Sequence, residues 1–156
     1  MGEHELGPEE YRALAGFRYQ IRRFLHFSED AARREGLEPQ QHQLMLAIRG
    51  LDSAEGPTVG QLAGHLLIRH HSAVGLIDRL EKRGLATRER VADDRRQARV
   101  RLTSEGAGIL ERLASDHRAE LASLGPHLVV ALEEVLRQPA VPGGDEKEED
   151  VAGDSR

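Results

Sequence analysis

Apolar residues recur at helical spacing along most of this chain, and strand-like alternation is confined to one short stretch past its middle. From Pro8 to about Arg34, Leu14, Phe17, Ile21 and Phe24 line one face of a long helix. Gly36 is placed to end it. Pro39 restarts helix, with Leu44, Ile48 and Leu51 as its apolar stripe, and Asp52 to Pro57 reads as a loop. Thr58 caps a short helix, Val59 to Leu67, whose inward positions are Val59, Leu62, Ala63 and Leu66. After a brief turn, His71 to Arg83 repeats the pattern with Ala73, Ile77 and Leu80 inward, and Gly84 closes it. Two short helices so joined form a helix-turn-helix pattern. Leu85 to Val91 and Ala98 to Leu102 are compatible with strands, and Val100 and Leu102 alternate with Arg99 and Arg101. Together they predict a hairpin, or wing, with a charged tip. Thr103 caps a long helix reaching about Ser123, with the stripe Leu110, Leu113, His117, Leu121 and Leu124. Gly125-Pro126 is expected to break it before a final helix carrying Leu128, Leu132 and Val135.

The fold class that follows is mainly α with a small β-hairpin: a winged helix-turn-helix between N- and C-terminal helices. Residues 8–36 and 104–137 form the helical, dimerising part, and 37–103 the winged helix-turn-helix. The Pro-, Gly- and acid-rich residues 138–156 are expected to be a disordered tail. All five aromatics (Tyr11, Phe17, Tyr19, Phe24, Phe27) lie in the first helix, which therefore needs a surface to bury against; a second subunit would provide one.

Charge then changes the picture. The chain as a whole carries −5, which argues against a nucleic-acid partner until its distribution is considered. Arg69 to Arg101 holds ten Arg or Lys against five acids, a local +5, whereas the tail holds six acids against two bases. Binding follows the field of a patch rather than the sum. With no cysteine there is no disulfide, thiolate metal site or thiol switch. No apolar run is long enough to span a bilayer, so a cytoplasmic, nucleoid-associated protein is expected, with no membrane partner.

The major groove of DNA is about one helix wide, so the second helix of the pair is the candidate reader. Its outer side and leading end offer His70, His71, Ser72, Val74, Gly75 and Asp78. His70, His71 and Ser72 suit polar contacts, Val74 a thymine methyl, and Gly75 a close backbone approach. The first turn also aims amide groups at a phosphate. No nucleophile elbow, phosphate loop, metal-binding helix motif or framed carboxylate pair speaks for an enzyme. A pure protein-interaction module would leave the arginine-rich wing without a purpose.

The runs Thr58-Val59-Gly60-Gln61-Leu62-Ala63 and Val74 through Leu85, then Asp94-Arg95-Arg96 and Val100-Arg101-Leu102-Thr103-Ser104-Glu105-Gly106, resemble the MarR family of bacterial transcription regulators. The resemblance covers about Tyr11 to Leu136, and its most specific piece is the D-R-R wing followed by L-T-x-x-G. It implies a homodimeric regulator, with repression as the expected outcome, on a palindromic double-stranded operator. Each recognition helix would enter the major groove and each wing the minor groove. It further implies that Asp78 pairs with Arg96 to position the wing, that Arg95 reaches the minor groove, and that Arg79 lies near the phosphates. Val74 and Gly75 depart from the hydroxyl and basic residues that many relatives carry there.

Such proteins commonly bind a small, often aromatic acid between the dimerisation helices and the DNA-binding lobe. Phe17, Arg18, Arg22, His26 and His42 are the candidates here, since an aromatic wall with arginine suits a planar anion. His42 and His117 sit where zinc-sensing relatives place ligands, but Gln41 stands where an acidic ligand would be, and no i,i+4 histidine pair exists. The expectation is therefore no metal and no cofactor. A metal- or proton-responsive regulator of the same fold is the second reading, because imidazole changes charge near neutral pH.

Overall fold

The computed structural model describes residues 6–51, 54–90 and 98–137. They form α1 (Pro8–Arg34), α2 (Pro39–Gly50), α3 (Val59–Leu66), α4 (His70–Lys82), β1 (Ala86–Arg90), β2 (Ala98–Leu102) and α5 (Ser104–Arg137). The mainly helical chain with one hairpin is the architecture the apolar pattern predicts. The expected tail, 138–156, lies outside the described residues.

Local chemistry sets most boundaries. Pro8 and Pro39 occupy first-turn positions, where a missing amide hydrogen costs nothing. The Thr58 hydroxyl accepts the Gln61 amide at 3.1 Å while the Gln61 side chain accepts the Thr58 amide at 2.9 Å, a reciprocal cap. The Thr103 hydroxyl accepts the Gly106 amide at 3.1 Å and donates to the Gly84 carbonyl at 2.7 Å, fixing the start of α5 on the end of α4.

Helices α1, α3 and α4 end in one motif. The amide of a left-handed residue donates to the carbonyl three residues back, and the next amide to the carbonyl five back. Gly36 (φ 74°) and Gly84 (φ 70°) fill the left-handed position after α1 and α4, but Leu67 (φ 55°) fills it after α3. That conformation costs a non-glycine residue about 1 kcal/mol.

The core joins the C-terminal end of α1 (Ala31, Ala32), α2 (Leu44, Met45, Ile48), α3 (Leu62), α4 (Ala73, Leu76, Ile77, Leu80), the hairpin (Leu85, Val100) and the start of α5 (Leu110, Leu113). In the hairpin, Ala86 pairs with Leu102 and Arg88 with Val100. A bridge from Thr58 to Arg99 and the Val100 amide on the Pro57 carbonyl (3.0 Å) attach β2 to the start of α3. Helices α1 and α5 pack along each other, yet Tyr11, Leu14, Leu25, Val129, Val130 and Leu136 remain exposed on them.

Two expectations are corrected. Gly125-Pro126 does not break the last helix, since α5 is continuous with Pro126 inside it. Proline removes one backbone hydrogen bond, but Ala122, whose carbonyl loses its partner, and Pro126 are both on the exposed side where water substitutes. On the expected stripe, Leu14 and Leu121 are exposed, 43% and 40%, so helical spacing identified a face that the single chain does not cover.

Candidate nucleic-acid interface

Arg69 precedes α4, and the amides of Ser72 and Ala73 donate to its carbonyl at 3.0 and 3.1 Å. The amides of His70 and His71 are therefore left without an intrahelical acceptor, and both residues, with Ser72, are exposed. Val74 is half-buried and packs on the core, so it presents only part of its side chain outward. Gly75 is also half-buried; a Cβ there would lie 3.8 Å from an Arg79 guanidinium nitrogen, which means that Arg79 folds back along the helix.

Asp78 is half-buried, and its carboxylate is bound by the guanidinium of Arg88 on β1. The same guanidinium donates to Glu81 at 2.8 and 3.2 Å, and the Arg88 amide donates to Glu81 at 2.8 Å. One arginine of the wing thus holds two carboxylates one turn apart on α4. The Glu81 hydrogen bond raises the Arg88 pKa most, burial opposes it, and the Asp78 hydrogen bond adds a smaller rise, so the guanidinium stays charged at every working pH. Arg88 and Glu81 had no role in the sequence reading. Arg95, Arg96 and Asp94, to which that reading gave the wing's contacts, lie outside the described residues.

The basic segment divides accordingly. Arg83 donates to the Gly36 carbonyl (2.7 Å) and to Gln41 (3.2 Å). Arg99 donates to the Gly56 carbonyl (3.0 Å) and meets Glu55 at 3.4 Å, while Arg101 donates to the Ala54 carbonyl (2.7 Å). With Arg88, these three hold the lobe together. Arg69, Arg79, Lys82 and Arg90 stand exposed with no hydrogen bond or ion pair among the described residues. The cationic surface open to a polyanion is smaller than the local sum suggests.

Of the effector candidates, Arg22 and His26 share a cavity and His42 packs on α5. Arg22 and His26 line one open surface cavity of about 390 Å³ with Tyr19 and Arg23, and His26 meets Asp30 at 3.3 Å. Phe17 is half-buried and Arg18 exposed, neither lining that cavity, and His42 is buried elsewhere. The ring of His42 packs against His117, centroids 4.8 Å apart, with Phe24 and Phe27 edge-on to His117 at 5.9 and 5.4 Å. His117 Nδ1 lies 2.6 Å from the Leu113 carbonyl, which can only accept, so that nitrogen carries hydrogen; Nε2 lies 2.8 Å from the Ser28 hydroxyl. Among the described residues no three His, Asp or Glu side chains converge, so the two histidines lack the further ligands that zinc requires.

Burial, then the neighbouring His117 charge, lowers the His42 pKa to about 4 from 6.5. The native state keeps His42 neutral where the unfolded chain would protonate it, so its stability is complete above about pH 6.5 and falls as pH drops toward 4. The loss expected from this residue is about 2 kcal/mol at about pH 5. Urea unfolding of the protein and of His42→Gln at about pH 7 and about pH 5 checks it. The variant should lose that share of the pH dependence, and an unchanged slope contradicts the assignment.

Comparison with known proteins follows the same lines. Residues 35–97 match the model of the MarR family. The transcriptional activatory protein BadR of Rhodopseudomonas palustris is 34% identical over 97 residues, covering 62% of this chain and 55% of BadR. The chain thus spans about half the length of that curated relative. Among solved structures, AbsC, a MarR family transcriptional regulator from Streptomyces coelicolor, superposes with a TM-score of 0.71 at 21% identity, over 86% of this chain and 93% of AbsC. A mutant of S. aureus MepR bound to an oligodeoxyribonucleotide gives 0.61 at 18% identity, over 85% of this chain and 97% of that one. At such identities these likenesses concern the fold. The match to the MarR family model thus lies on α2, α3, α4 and β1 and covers less than half of the chain.

Proposed function

We propose that this chain is a transcription regulator of the MarR family that binds double-stranded DNA as a homodimer, each subunit placing α4 in the major groove of one half of a palindromic operator. The observation that carries this reading is the Arg88 clamp: it fixes a basic hairpin at a set angle to a helix whose leading end exposes Arg69, His70, His71 and Ser72. A rigid helix-and-wing unit spans a major groove and the neighbouring minor groove. In this reading Arg79 serves the phosphates, Arg95 enters the minor groove, and Arg96 joins Asp78 and Arg88 in holding the wing. Val74 and Gly75 set base preference only weakly, since both are half-buried.

Dimerisation is supported by the exposed apolar side chains of α1 and α5, which a second copy would cover. Occupancy of an operator represses where the site overlaps a promoter; the relative BadR is named an activatory protein, so the position of the site decides the sign. A small anionic effector would bind the open Tyr19, Arg22, Arg23 and His26 cavity rather than a pocket reaching His42. A proton-responsive form of the same regulator draws on the buried His42–His117 contact.

Selection of bound sequences from a random duplex pool tests the reading. An inverted repeat with half-sites about one helical turn apart is expected. Recovery of unrelated sequences removes the operator claim.

A further inference from the structure

The end of α3 departs from a rule the rest of the chain follows. After α1 and α4 the left-handed closing residue is glycine, followed by a buried leucine, Leu37 or Leu85. After α3 the same pair of hydrogen bonds is made, Leu67 amide to Gly64 carbonyl (3.2 Å) and Ile68 amide to Ala63 carbonyl (3.0 Å), and Ile68 packs on the core as those leucines do. Yet the closing residue is a leucine with 92% of its surface exposed, the largest value among the exposed large apolar side chains of the described residues. Leu67 therefore carries two unfavourable features at one position, a backbone conformation that suits glycine and an apolar side chain held in water. Neither helps the fold, because glycine would close α3 in the same way and nothing packs against the side chain.

The position is not a neutral one. Leu67 is the first residue after α3 and lies just ahead of Arg69, His70 and His71, the exposed leading end of α4. Backbone strain kept without a folding benefit is a mark of function. We propose that Leu67 is a DNA-contacting residue, whose side chain is buried on binding against an apolar part of the operator beside the recognition helix, a thymine methyl or a deoxyribose face. The inference rests on the reading of the chain as a DNA-binding regulator. It adds a contact outside the recognition helix that charge-based reasoning passes over.

The test uses the full chain and a duplex selected by the wild-type protein, with Leu67→Gly as the central variant. A residue with only a structural role moves stability and binding in the same direction; here they should move oppositely. Leu67→Gly is expected to raise the melting temperature by about 2 °C through relief of the left-handed strain. It should also weaken duplex binding by about tenfold, the worth of burying most of one leucine side chain. The salt dependence of binding should stay the same, since no charge is lost. Leu67→Met, which keeps an apolar side chain of similar size, should retain affinity. Replacing thymine by deoxyuridine in the duplex separates the two sources. If wild-type binding weakens and the glycine variant's does not, the contact is a methyl; if neither changes, it is the sugar. Full affinity in Leu67→Gly, or a loss in Leu67→Met as large, overturns the proposal. Failure of the wild-type protein to select any duplex instead overturns the function on which it rests.

Discussion

Replacing Gly106 by alanine is expected to lower stability by about 4 kcal/mol and the melting temperature by roughly 10 °C. A Cβ on Gly106 would lie 2.1 Å from the Leu85 carbonyl oxygen and 3.0 Å from its carbon, both backbone atoms. No side-chain rotation relieves such a contact; the N-terminal end of α5 and the start of the hairpin must separate. That separation opens the Thr103 amide to Leu85 carbonyl bond (3.1 Å) and the Thr103 hydroxyl to Gly84 carbonyl bond (2.7 Å), which together join the end of α4, the wing and α5. Thermal unfolding measures the effect, and a loss below about 1 kcal/mol would mean that the junction yields more easily than its backbone contacts imply. The L-T-x-x-G motif is thereby given a physical cause. Its threonine caps α5 and ties it to Gly84, and its glycine leaves room for the strand.

The second large effect concerns Arg88, where Arg88→Met should affect DNA binding far more than folding. Removing the guanidinium leaves Asp78 and Glu81 facing each other on α4 without their shared counter-charge, and leaves the hairpin tied to the helix only by the residue-88 amide and the core. All three side chains retain some solvent contact, so water screens the carboxylates and the stability loss should be about 1–2 kcal/mol. Binding should weaken by about a hundredfold, because the wing loses its fixed angle and two unbalanced negative charges face the phosphates. Parallel measurement of the urea midpoint and duplex affinity decides between the two roles. A variant whose affinity falls only in proportion to its folded fraction would show that Arg88 is structural and nothing more.

Much of the fold was legible in the sequence because each element states its own ends. Prolines open α1 and α2, Thr58 and Thr103 cap α3 and α5, and Gly36 and Gly84 close α1 and α4. The break expected at Gly125-Pro126 failed because local propensity is a weak prior against a long helix, and an exposed proline loses only one internal bond. Net charge misled in a different way. Counting arginines between Arg69 and Arg101 cannot tell those that face solvent from Arg83, Arg88, Arg99 and Arg101, whose partners lie up to 47 residues away. One trace of the clamp was present: Asp78 and Glu81 are three residues apart and so share a helix face, which invites a cation from a neighbouring element. Nothing in the sequence marks Leu67, since a left-handed leucine is recognised only from its dihedral angles and exposure. The packing of His42 on His117, apart from the cavity of Arg22 and His26, was equally hidden, because residues drawn from two helices meet only if the packing angle allows it.

The central claim is that a chain carrying −5 overall binds DNA through a local cationic face. The most direct measurement is the affinity for its selected duplex as salt rises from about 50 to about 200 mM, where a dimer contacting four or more phosphates should lose at least about a hundredfold. Affinity that is weak at low salt and indifferent to its increase would contradict the account.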